Sequence, residues 1–439
     1  MKNRDVTSAA AARLTLNNYL LPALIGVLLI LQFVSPYRGW VVLLVGLGGA
    51  LLVSYLWARS LRDGLHLHRA RRFGWTRVGD QMVERFTLDN DGWAPALWVE
   101  IVDHSDMPDY RASRVSSVDG RRSIRWHTTA VCTLRGLFTL GPTSLRTGDP
   151  FGLFTVTHHY PASTPLLVTP PIVPLPTIDV APGGRAGAGR PRVNAPERTV
   201  SVSGVREYAA GDSQRWIHWP TSARRDELFV RVFDNTPAGD WWIVLDVDRR
   251  VQVGQGLDAT DEHGVILAAS LADRGLRARR AVGLAAHGDH LVWLPPQVGD
   301  GRRWDILYAL ALISPGELPL AELLTRTGPA LGGRDSLVII TPAVDGGWIE
   351  PLMPLLRRGC IPTVLLLDQI TFGGVGDVAG VAALLTDLGV AHDVIARDLL
   401  DGSGVVHPES RPLWEWRILG TGRAVPIRRP EAVPWRTLS

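Results

Sequence analysis

The N-terminal part of the chain has two long apolar runs. Residues 20–34 and 40–57 contain no charged side chain, and only the short sequence SPYRG separates them. With residues 17–19 included, each run approaches the roughly 20 residues that an α-helix needs to cross a bilayer. The pattern predicts a tail at 1–18 and a transmembrane hairpin at 19–58. Two alternatives stay open, a signal peptide for the first run and a buried helical hairpin for the second.

The pattern changes to short alternating segments over residues 65–160. Apolar and polar positions alternate in stretches such as QMVERFTL and ALWVEIV, and turn residues separate these stretches. Period-two alternation of this kind predicts a β-sandwich. Residues 161–200 are rich in Pro and Gly and predict a flexible linker. A glycine loop that binds phosphate is the alternative for this segment, but it lacks the Gly-Lys-Ser/Thr ending of such loops.

Continuous apolar runs alternate with helical patterns over residues 237–410. The runs WWIVLDVD, SLVIITP and PTVLLLD have the length and composition of buried strands, and helical patterns separate them. This order predicts an α/β domain with a doubly wound parallel sheet, followed by a C-terminal tail at 411–439. Such sheets bind ligands at the carboxyl ends of their strands.

The distribution of charge argues against nucleic-acid binding and orients the hairpin. The first 72 residues have nine basic and two acidic side chains, a net charge of +7 against +3 for the whole chain, which leaves −4 for the remaining 367. Basic residues flank both outer ends of the hairpin, whereas the connecting loop has only Arg38. Positive charge favours the cytoplasmic side of a membrane. We therefore predict a multi-pass protein of the cell membrane whose later domains are cytoplasmic. Two widely separated cysteines, Cys132 and Cys360, agree with a reducing compartment.

Arginine, carboxylate and aromatic residues are concentrated between the linker and the α/β domain. Residues 204–235 have the sequence GVREYAAGDSQRWIHWPTSARRDELFVRVFDN. Because guanidinium groups pair with carboxylates and stack on indole rings, this composition predicts a partly buried ion-pair network. Asp212 can cap a short helix, and Pro220 suits the first turn of a second helix. The alternation at 228–233 predicts an edge strand beside residues 241–247.

Two motifs in the chain carry a family resemblance. The sequence REYAAGDSQRWIHWPTSAR at 206–224, followed by LFVR at 228–231, closely resembles the defining motif of the bacterial domain-of-unknown-function family fifty-eight. The sequences RGLFTLGP at 135–142 and GDPFGLF at 148–154 are similar to the second motif of that family. The resemblance covers most of the chain. It implies a membrane anchor, a C-terminal von Willebrand factor A-like domain, and a MoxR-type AAA ATPase as partner in the assembly or maturation of other proteins.

The matched motif positions, in the family motif segment at 201–236 and in the second motif, are candidate structural or partner-binding residues. They are Arg206, Tyr208, Gly211, Asp212, Arg215, Trp219, Ser222, Ala223 and Arg224 in the first motif, and Asp149, Pro150, Phe151 and Gly152 in the second. We expect Arg206, Asp212, Arg215 and Arg224 to be mainly architectural. A partner surface is the alternative.

The segment DVDRR at 246–250 lies at the end of the first predicted strand of the α/β domain. The resemblance implies that Asp-x-Ser-x-Ser often stands here and holds Mg²⁺ or Mn²⁺. In this chain Asp248 and Arg250 occupy the two serine positions, and Asp345 lies where another acidic group is common. Carboxylates bind hard cations, but Arg250 can pair with Asp246 or Asp248 in place of a metal. The sequence leaves open a Mg²⁺ or Mn²⁺ site of Asp246, Asp248 and Asp345, and favours an internal salt bridge.

The sequence indicates no catalytic residue and no cofactor. Paired carboxylates can act as general acid and base, but no nucleophile arrangement or cofactor motif accompanies them. His218, His287 and His290 lack the spacing of a ligand set. We expect a non-enzymatic scaffold or adaptor that contacts the lipid bilayer and binds protein partners. The alternative is a divalent-metal-dependent enzyme or adhesion module centred on the same three aspartates.

Overall fold

The chain folds into two compact units, Met1–Pro171 with Gly404–Ser439, and Ile172–Ser403. The computed structural model describes residues 11–71, 74–175, 178–180, 202–208, 217–225, 227–233, 240–332, 335–399, 415–418, 424–428 and 436–437.

A short strand and two apolar helices begin the first unit: β1 (Ala11–Leu16), α1 (Leu20–Val34) and α2 (Arg38–Gly64). Many of their large apolar side chains are exposed, including Phe33 at 92% and Val42 at 71%. Among the described residues, α2 is the one helix long and apolar enough to cross a membrane. With 15 residues, α1 is shorter than a bilayer span requires. The structure therefore has one candidate membrane span where the sequence predicts two.

Ten strands follow α2. They are β2 (Leu65–Arg71), β3 (Trp75–Arg77), β4 (Gln81–Asn90), β5 (Ala96–Asp103), β6 (Arg114–Val118), β7 (Arg122–Val131), β8 (Gly136–Leu140), β9 (Thr143–Gly148), β10 (Phe154–Tyr160) and β11 (Thr164–Thr169). One antiparallel sheet has the order β1-β10-β9-β5-β6, and a second contains β2-β4-β7. Their buried side chains, among them Phe86 from β4 and Ile101 from β5, belong to one hydrophobic core. This part of the chain is therefore rich in β-sheet, as the alternation predicts.

The edges of the β-rich unit differ from the predicted boundaries. Strand β1 lies in the predicted tail at 1–18 and pairs with β10. Strand β11 lies in the predicted linker at 161–200 and pairs with β8. Each of these short segments alternates too briefly to stand out in sequence, and each is ordered by a neighbouring strand that offers free backbone groups. The last turns of α2 also enter the core, where Ala58 and Leu61 are fully buried.

Within the described residues, the second unit contains fourteen further α-helices and strands. They are β12 (Val202–Glu207), α3 (Trp219–Arg225), β13 (Phe229–Phe233), β14 (Trp241–Leu245), α4 (Thr260–Arg277), β15 (Val282–His287), β16 (Leu291–Gln297), α5 (Asp300–Leu312), α6 (Leu320–Thr327), β17 (Ser336–Thr341), α7 (Met353–Arg357), β18 (Ile361–Leu367), α8 (Ala379–Asp387) and β19 (Ala391–Ile395). Six strands form a sheet of order β16-β15-β14-β17-β18-β19, in which only β16 is antiparallel to its neighbour.

Helices cover both faces of this six-stranded sheet. On one face, the ring of Trp241 and the side chain of Leu245 lie close to Gly275 and Gly264 of α4. On the other face, Trp242 shares a core with residues of α6, α7 and α8. Because both faces are covered, every residue of β14 and β17 is buried. The predicted alternation of strands and helices is thus present in the structure.

One predicted helix of this unit is broken. The pattern at 348–358 predicts a continuous helix, but the chain forms two 3-10 turns, Gly346–Trp348 and Glu350–Leu352, before the five-residue α7. Pro351 and Pro354 lack the backbone N–H that a continuous helix would use, which explains the interruption.

The predicted edge strand at 228–233 pairs differently from the expectation. Strand β13 forms a separate two-stranded antiparallel sheet with β12. The neighbours of β14 are β15 and β17, so neither of its edges is free for β13. The prediction of pairing beside residues 241–247 is wrong, because β12 offers β13 an antiparallel partner close in sequence.

The described part of the predicted C-terminal tail forms three short strands. They are β20 (Glu415–Ile418), β21 (Ala424–Arg428) and β22 (Arg436–Thr437). Strands β20 and β21 pair with each other, and β22 pairs with β2 at the edge of the sheet that β2 forms with β4 and β7. The tail therefore contributes to the first unit.

Candidate functional site

Two buried aspartates lie directly after β14, at the carboxyl edge of the six-stranded sheet. Asp246 is 3% exposed and Asp248 is 4% exposed. The carboxylate of Asp246 accepts a hydrogen bond from the backbone N–H of Asp248 at 3.0 Å and another from the hydroxyl of Thr341 at 2.6 Å. Burial raises the pKa of Asp246 to about 6, although both hydrogen bonds act in the opposite direction. Asp246 is thus a buried, hydrogen-bonded carboxyl group with a raised pKa.

Arg250 forms a two-pronged ion pair with Asp248. Its Nε lies 2.9 Å from Oδ1 and its Nη2 lies 2.7 Å from Oδ2 of the carboxylate. Burial raises the pKa of Asp248, but the hydrogen bonds from Arg250 outweigh this effect, so the pKa lies below its usual value. The Arg250 side chain is 63% exposed, and its guanidinium also donates to the carbonyl of Glu317. The internal salt bridge that the sequence favours is therefore present.

The third predicted ligand, Asp345, lies in the loop after β17. Its side chain is exposed, and its negative charge contributes to the raised pKa of Asp246. Within the described residues, no three His, Cys, Asp or Glu side chains have an arrangement that could hold a metal ion. The structure thus brings Asp246 and Asp248 together but does not complete a ligand set with Asp345.

Thr341 is the residue of this edge that sequence analysis missed. It ends β17, and its hydroxyl also accepts a hydrogen bond from the N–H of Ala343 at 2.9 Å. Its position at the end of the predicted strand 336–342 could have indicated a contact with Asp246. Because neighbouring parallel strands end at one edge, a hydroxyl there is placed to reach Asp246.

A shallow cleft of about 410 Å³ lies at the same end of the sheet. It is lined by Arg249, His287, Gly288, Asp289, Pro315, Gly316, Glu317, Leu318, Pro319 and Glu322. Gly288 and Gly316 let two loops approach closely, since a Cβ on Gly316 would lie 2.1 Å from the carbonyl oxygen of Gly288. His290 pairs with Asp289 at 2.8 Å beside this cleft. The cleft holds charged groups of both signs in an open depression.

The first family motif builds a small supporting layer around β13. The hydroxyl of Ser222 accepts the N–H of Phe229 at 2.9 Å, and it also donates to the carbonyl of His218. The N–H of Tyr208 donates to the carbonyl of Leu228 at 2.7 Å. Ser222 is buried and joins α3 to β13.

Most of the remaining surface of α3 faces solvent, and these exposed residues together are called the exposed side of α3. Trp219 is 65% exposed, and Ala223, Arg224 and Arg225 are exposed as well. Of the residues of α3, Ser222 is buried and Arg224 is exposed. Asp212, Arg215, Asp226 and Asp234 of the predicted ion-pair network lie outside the described residues, as does Gly211. Arg206 is described only by its backbone pairing with Val230 in β12 and β13.

The second family motif forms the turn between β9 and β10. Asp149 is 3% exposed, and its carboxylate accepts the N–H groups of Phe151 at 2.9 Å and Phe154 at 2.6 Å. Gly152 has a φ of +70°, which favours glycine, and Pro150 lies between the capping carboxylate and Phe151. Phe151 is 63% exposed. This turn is rigid and presents a phenylalanine ring to its surroundings.

Sequence analysis also missed a buried ionic cluster inside the β-rich unit. Arg69 pairs with Glu84 at 2.7 Å and with Asp103 at 2.7 Å, and the side chains of all three are at most 8% exposed. The hydroxyl of Tyr110 donates to Glu84, and burial raises the pKa of Tyr110 far above its usual range. In sequence these residues are single polar positions in four separate segments, with no spacing that links them.

Comparisons with known proteins bear on the second unit. Curated proteins give no match to the chain. Among solved structures, a CARDB domain from Pyrococcus furiosus, in complex with di-metal ions, is similar at 8% identity and a TM-score of 0.18, over 24% of this chain and 94% of that chain. A TM-score this low supports no inference about fold. Residues 204–403 match the model of the family described as Protein of unknown function DUF58. This match supports the assignment of the second unit to the DUF58 family.

Proposed function

We propose that the protein is a membrane-anchored, non-enzymatic scaffold or adaptor that binds protein partners. The exposed side of α3 is the observation that carries this proposal. Ser222 fixes α3 to β13, while Trp219 is 65% exposed and Arg224 is exposed on the same short helix. Trp and Arg supply much of the binding energy at protein interfaces, and a rigid support lowers the entropy cost of binding. This side of α3 is therefore the proposed partner surface.

The exposed apolar side chains of the helical hairpin support a membrane anchor. Helix α2 has 27 residues, and its 18-residue apolar window is only 11% buried. A helix buried in the core of a protein would hide these side chains instead. We propose that both helices enter the bilayer, with α1 reaching less deeply than α2. The basic residues around the hairpin favour a cytoplasmic position for both units.

The strand order of the second unit supports a von Willebrand factor A-like domain. One antiparallel edge strand, β16, completes an otherwise parallel sheet with helices on both faces. The family resemblance of this unit implies a MoxR-type AAA ATPase as partner. We propose that such an ATPase contacts the exposed side of α3 and that the complex assists assembly or maturation of other proteins.

Affinity capture tests the proposal. The full chain is captured from native membranes after mild cross-linking, together with Trp219→Ala and the control Trp304→Ala, a partly exposed tryptophan on α5 of the same unit. Wild type and Trp304→Ala are expected to recover an ATPase, whereas Trp219→Ala recovers much less. Equal recovery with all three proteins would place the partner surface elsewhere. Recovery of no partner by wild type would contradict the scaffold function.

The alternative function is a divalent-metal-dependent enzyme or adhesion module centred on Asp246, Asp248 and Asp345. The nearby carboxylates of Asp246 and Asp248 at the carboxyl edge of the sheet favour it, because oxygen ligands suit Mg²⁺ and Mn²⁺. The ion pair of Asp248 with Arg250 opposes it. The two functions differ in one measurement. A melting temperature that rises with Mg²⁺ or Mn²⁺ in wild type, and not in Asp248→Ala, would support the metal-dependent alternative.

A further inference from the structure

In the turn of the second motif, a buried carboxylate binds the backbone next to an exposed phenylalanine. Asp149 accepts two backbone N–H groups of the turn, and Gly152 adopts a backbone conformation that favours glycine. These bonds hold the backbone of Phe151, whose ring is 63% exposed. A single exposed apolar side chain is common on protein surfaces, so the position of Phe151 relative to the apolar helices decides its meaning.

The same turn is bonded to the segment that leads into α1. The backbone N–H of Asn17 donates to the carbonyl of Leu153 at 2.8 Å, and its side-chain amide donates to the carbonyl of Gly152 at 2.9 Å. Helix α1 begins three residues later at Leu20. Phe151 is therefore held near the level at which the apolar part of α1 begins.

A second exposed aromatic side chain of the β-rich unit contacts α2. Trp93, 56% exposed, lies against Trp57 of α2 with ring centroids 5.6 Å apart. The indole N–H of Trp57 donates to the carbonyl of Pro95 at 3.1 Å. One residue further along α2, Ala58 is fully buried in the β-rich core. Helix α2 thus passes from its exposed apolar part into the core without a linker.

We propose that Tyr19, Trp93 and Phe151 form an interfacial aromatic surface that lies in the headgroup region of the membrane that α2 spans. This inference rests on the proposed membrane anchor. Tyr19 directly precedes α1 and is 74% exposed, so each of the three rings lies beside the cytoplasmic end of a hairpin helix. Tyr and Trp are enriched at membrane interfaces, and Phe inserts into the boundary between headgroups and acyl chains. The surface holds the β-rich unit flat against the bilayer.

Depth-dependent quenching tests this surface in the full chain. Single cysteines replace Phe151, Trp93, Trp75 or Val45, each labelled with the fluorophore NBD, and the native Cys132 and Cys360 are buried. Val45, 71% exposed on α2, reports the anchor itself. Trp75, which is 42% exposed, is the control. The seven residues of β2, about 20 Å of extended chain, lie between the end of α2 and the segment that contains Trp75. The proteins are reconstituted into phosphatidylethanolamine and phosphatidylglycerol vesicles that contain shallow or deep nitroxide lipids.

The surface predicts that the labels at 151 and 93 are quenched about twofold more by the shallow than by the deep nitroxide, since interfacial side chains lie ~5–10 Å into the boundary. The label at 45 is expected to respond most to the deep nitroxide, and the label at 75 to neither. If positions 151 and 93 behave like 75 while 45 is quenched, the anchor stands and the interfacial surface is contradicted. No quenching at 45 would contradict the anchor and the surface together.

Discussion

The two units differ in how deeply they bury the arginine that neutralises a buried carboxylate. In the β-rich unit, Glu84 and Asp103 are neutralised by Arg69, whose side chain is 8% exposed in the core. At the edge of the six-stranded sheet, Asp248 is neutralised by Arg250, whose side chain is 63% exposed. The first cation cannot leave without unfolding, whereas the second can move into solvent by side-chain rotation. Both pairs join an arginine to a carboxylate, and they differ in how deeply the arginine is buried.

The largest expected effect follows from removing a carboxylate of the buried cluster. Glu84→Gln leaves the guanidinium of Arg69 with Asp103 alone, and breaking a buried ion pair costs about 3–5 kcal/mol. Urea unfolding of the full chain in detergent, with hydrogen exchange of β2 and β4 to locate the change, measures this loss. Glu100→Gln on β5 is the matched control and is expected to lose little stability. A loss below about 1 kcal/mol for Glu84→Gln would show that Asp103 alone can neutralise Arg69. The difference between this buried cluster and the ion pair at the sheet edge would then be contradicted.

The next effect depends on pH and on Asp246. Because its pKa is raised from 3.8 to about 6 in the folded chain, the protonated form is favoured by folding. Its contribution to stability is complete below pH 4 and is lost as pH rises through about 6, a change on the order of 3 kcal/mol. About 1 kcal/mol of this is already lost at pH 4.5, so the difference in unfolding free energy between wild type and Asp246→Asn is expected to change by about 2 kcal/mol between pH 4.5 and pH 7.5. A constant difference would contradict the raised pKa.

A smaller effect should appear when the exposed cation of the sheet edge is removed. Arg250→Ser frees the carboxylate of Asp248 and supplies a hydroxyl, so Mg²⁺ or Mn²⁺ is expected to raise the melting temperature of this variant and not that of wild type. Arg249→Ser is the matched control, because Arg249 donates to the carbonyl of Pro315 rather than to a carboxylate. An equal rise in wild type and Arg250→Ser would show that Arg250 does not exclude the cation.

The smallest effect on stability is expected at Arg224. Its side chain lies on the exposed side of α3, so Arg224→Ala should change the unfolding free energy by less than about 1 kcal/mol. Ser222→Ala, on the inward side of the same helix, should cost about 1–3 kcal/mol, because it leaves the N–H of Phe229 buried without its partner. Urea unfolding of both variants checks this order. The reverse order would return Arg224 to an architectural role.

The sequence predicted those parts of the fold whose signals are local. Buried strands such as β14 and β17 are continuous apolar runs, and their alternation with helices follows from the need to cover both faces of a parallel sheet. The pairing of β13 with β12 was not predictable in this way, because partner choice depends on which backbone edges remain free in the folded chain. The same reason explains why β1 and β11 were assigned to a tail and a linker.

In the candidate sites, too, local contacts were predictable and long-range contacts were not. The pair of Asp248 with Arg250 was predictable, since the two residues are two positions apart after one strand. The hydrogen bond from Thr341 to Asp246 joins residues 95 positions apart, and the cluster of Arg69, Glu84 and Asp103 joins three strands. Contacts between residues far apart in sequence depend on strand order and register, and the spacing of residues along the chain does not predict them.

Photo-cross-linking at position 219 tests the scaffold function most directly. A benzoylphenylalanine in place of Trp219, at the exposed start of α3, is irradiated in native membranes beside the same probe at Trp304 on α5. The proposed function predicts an adduct with a MoxR-type AAA ATPase at position 219 that is absent or much weaker at position 304. No ATPase adduct at position 219, or equal adducts at both positions, would contradict the assignment of the exposed side of α3 as the partner surface.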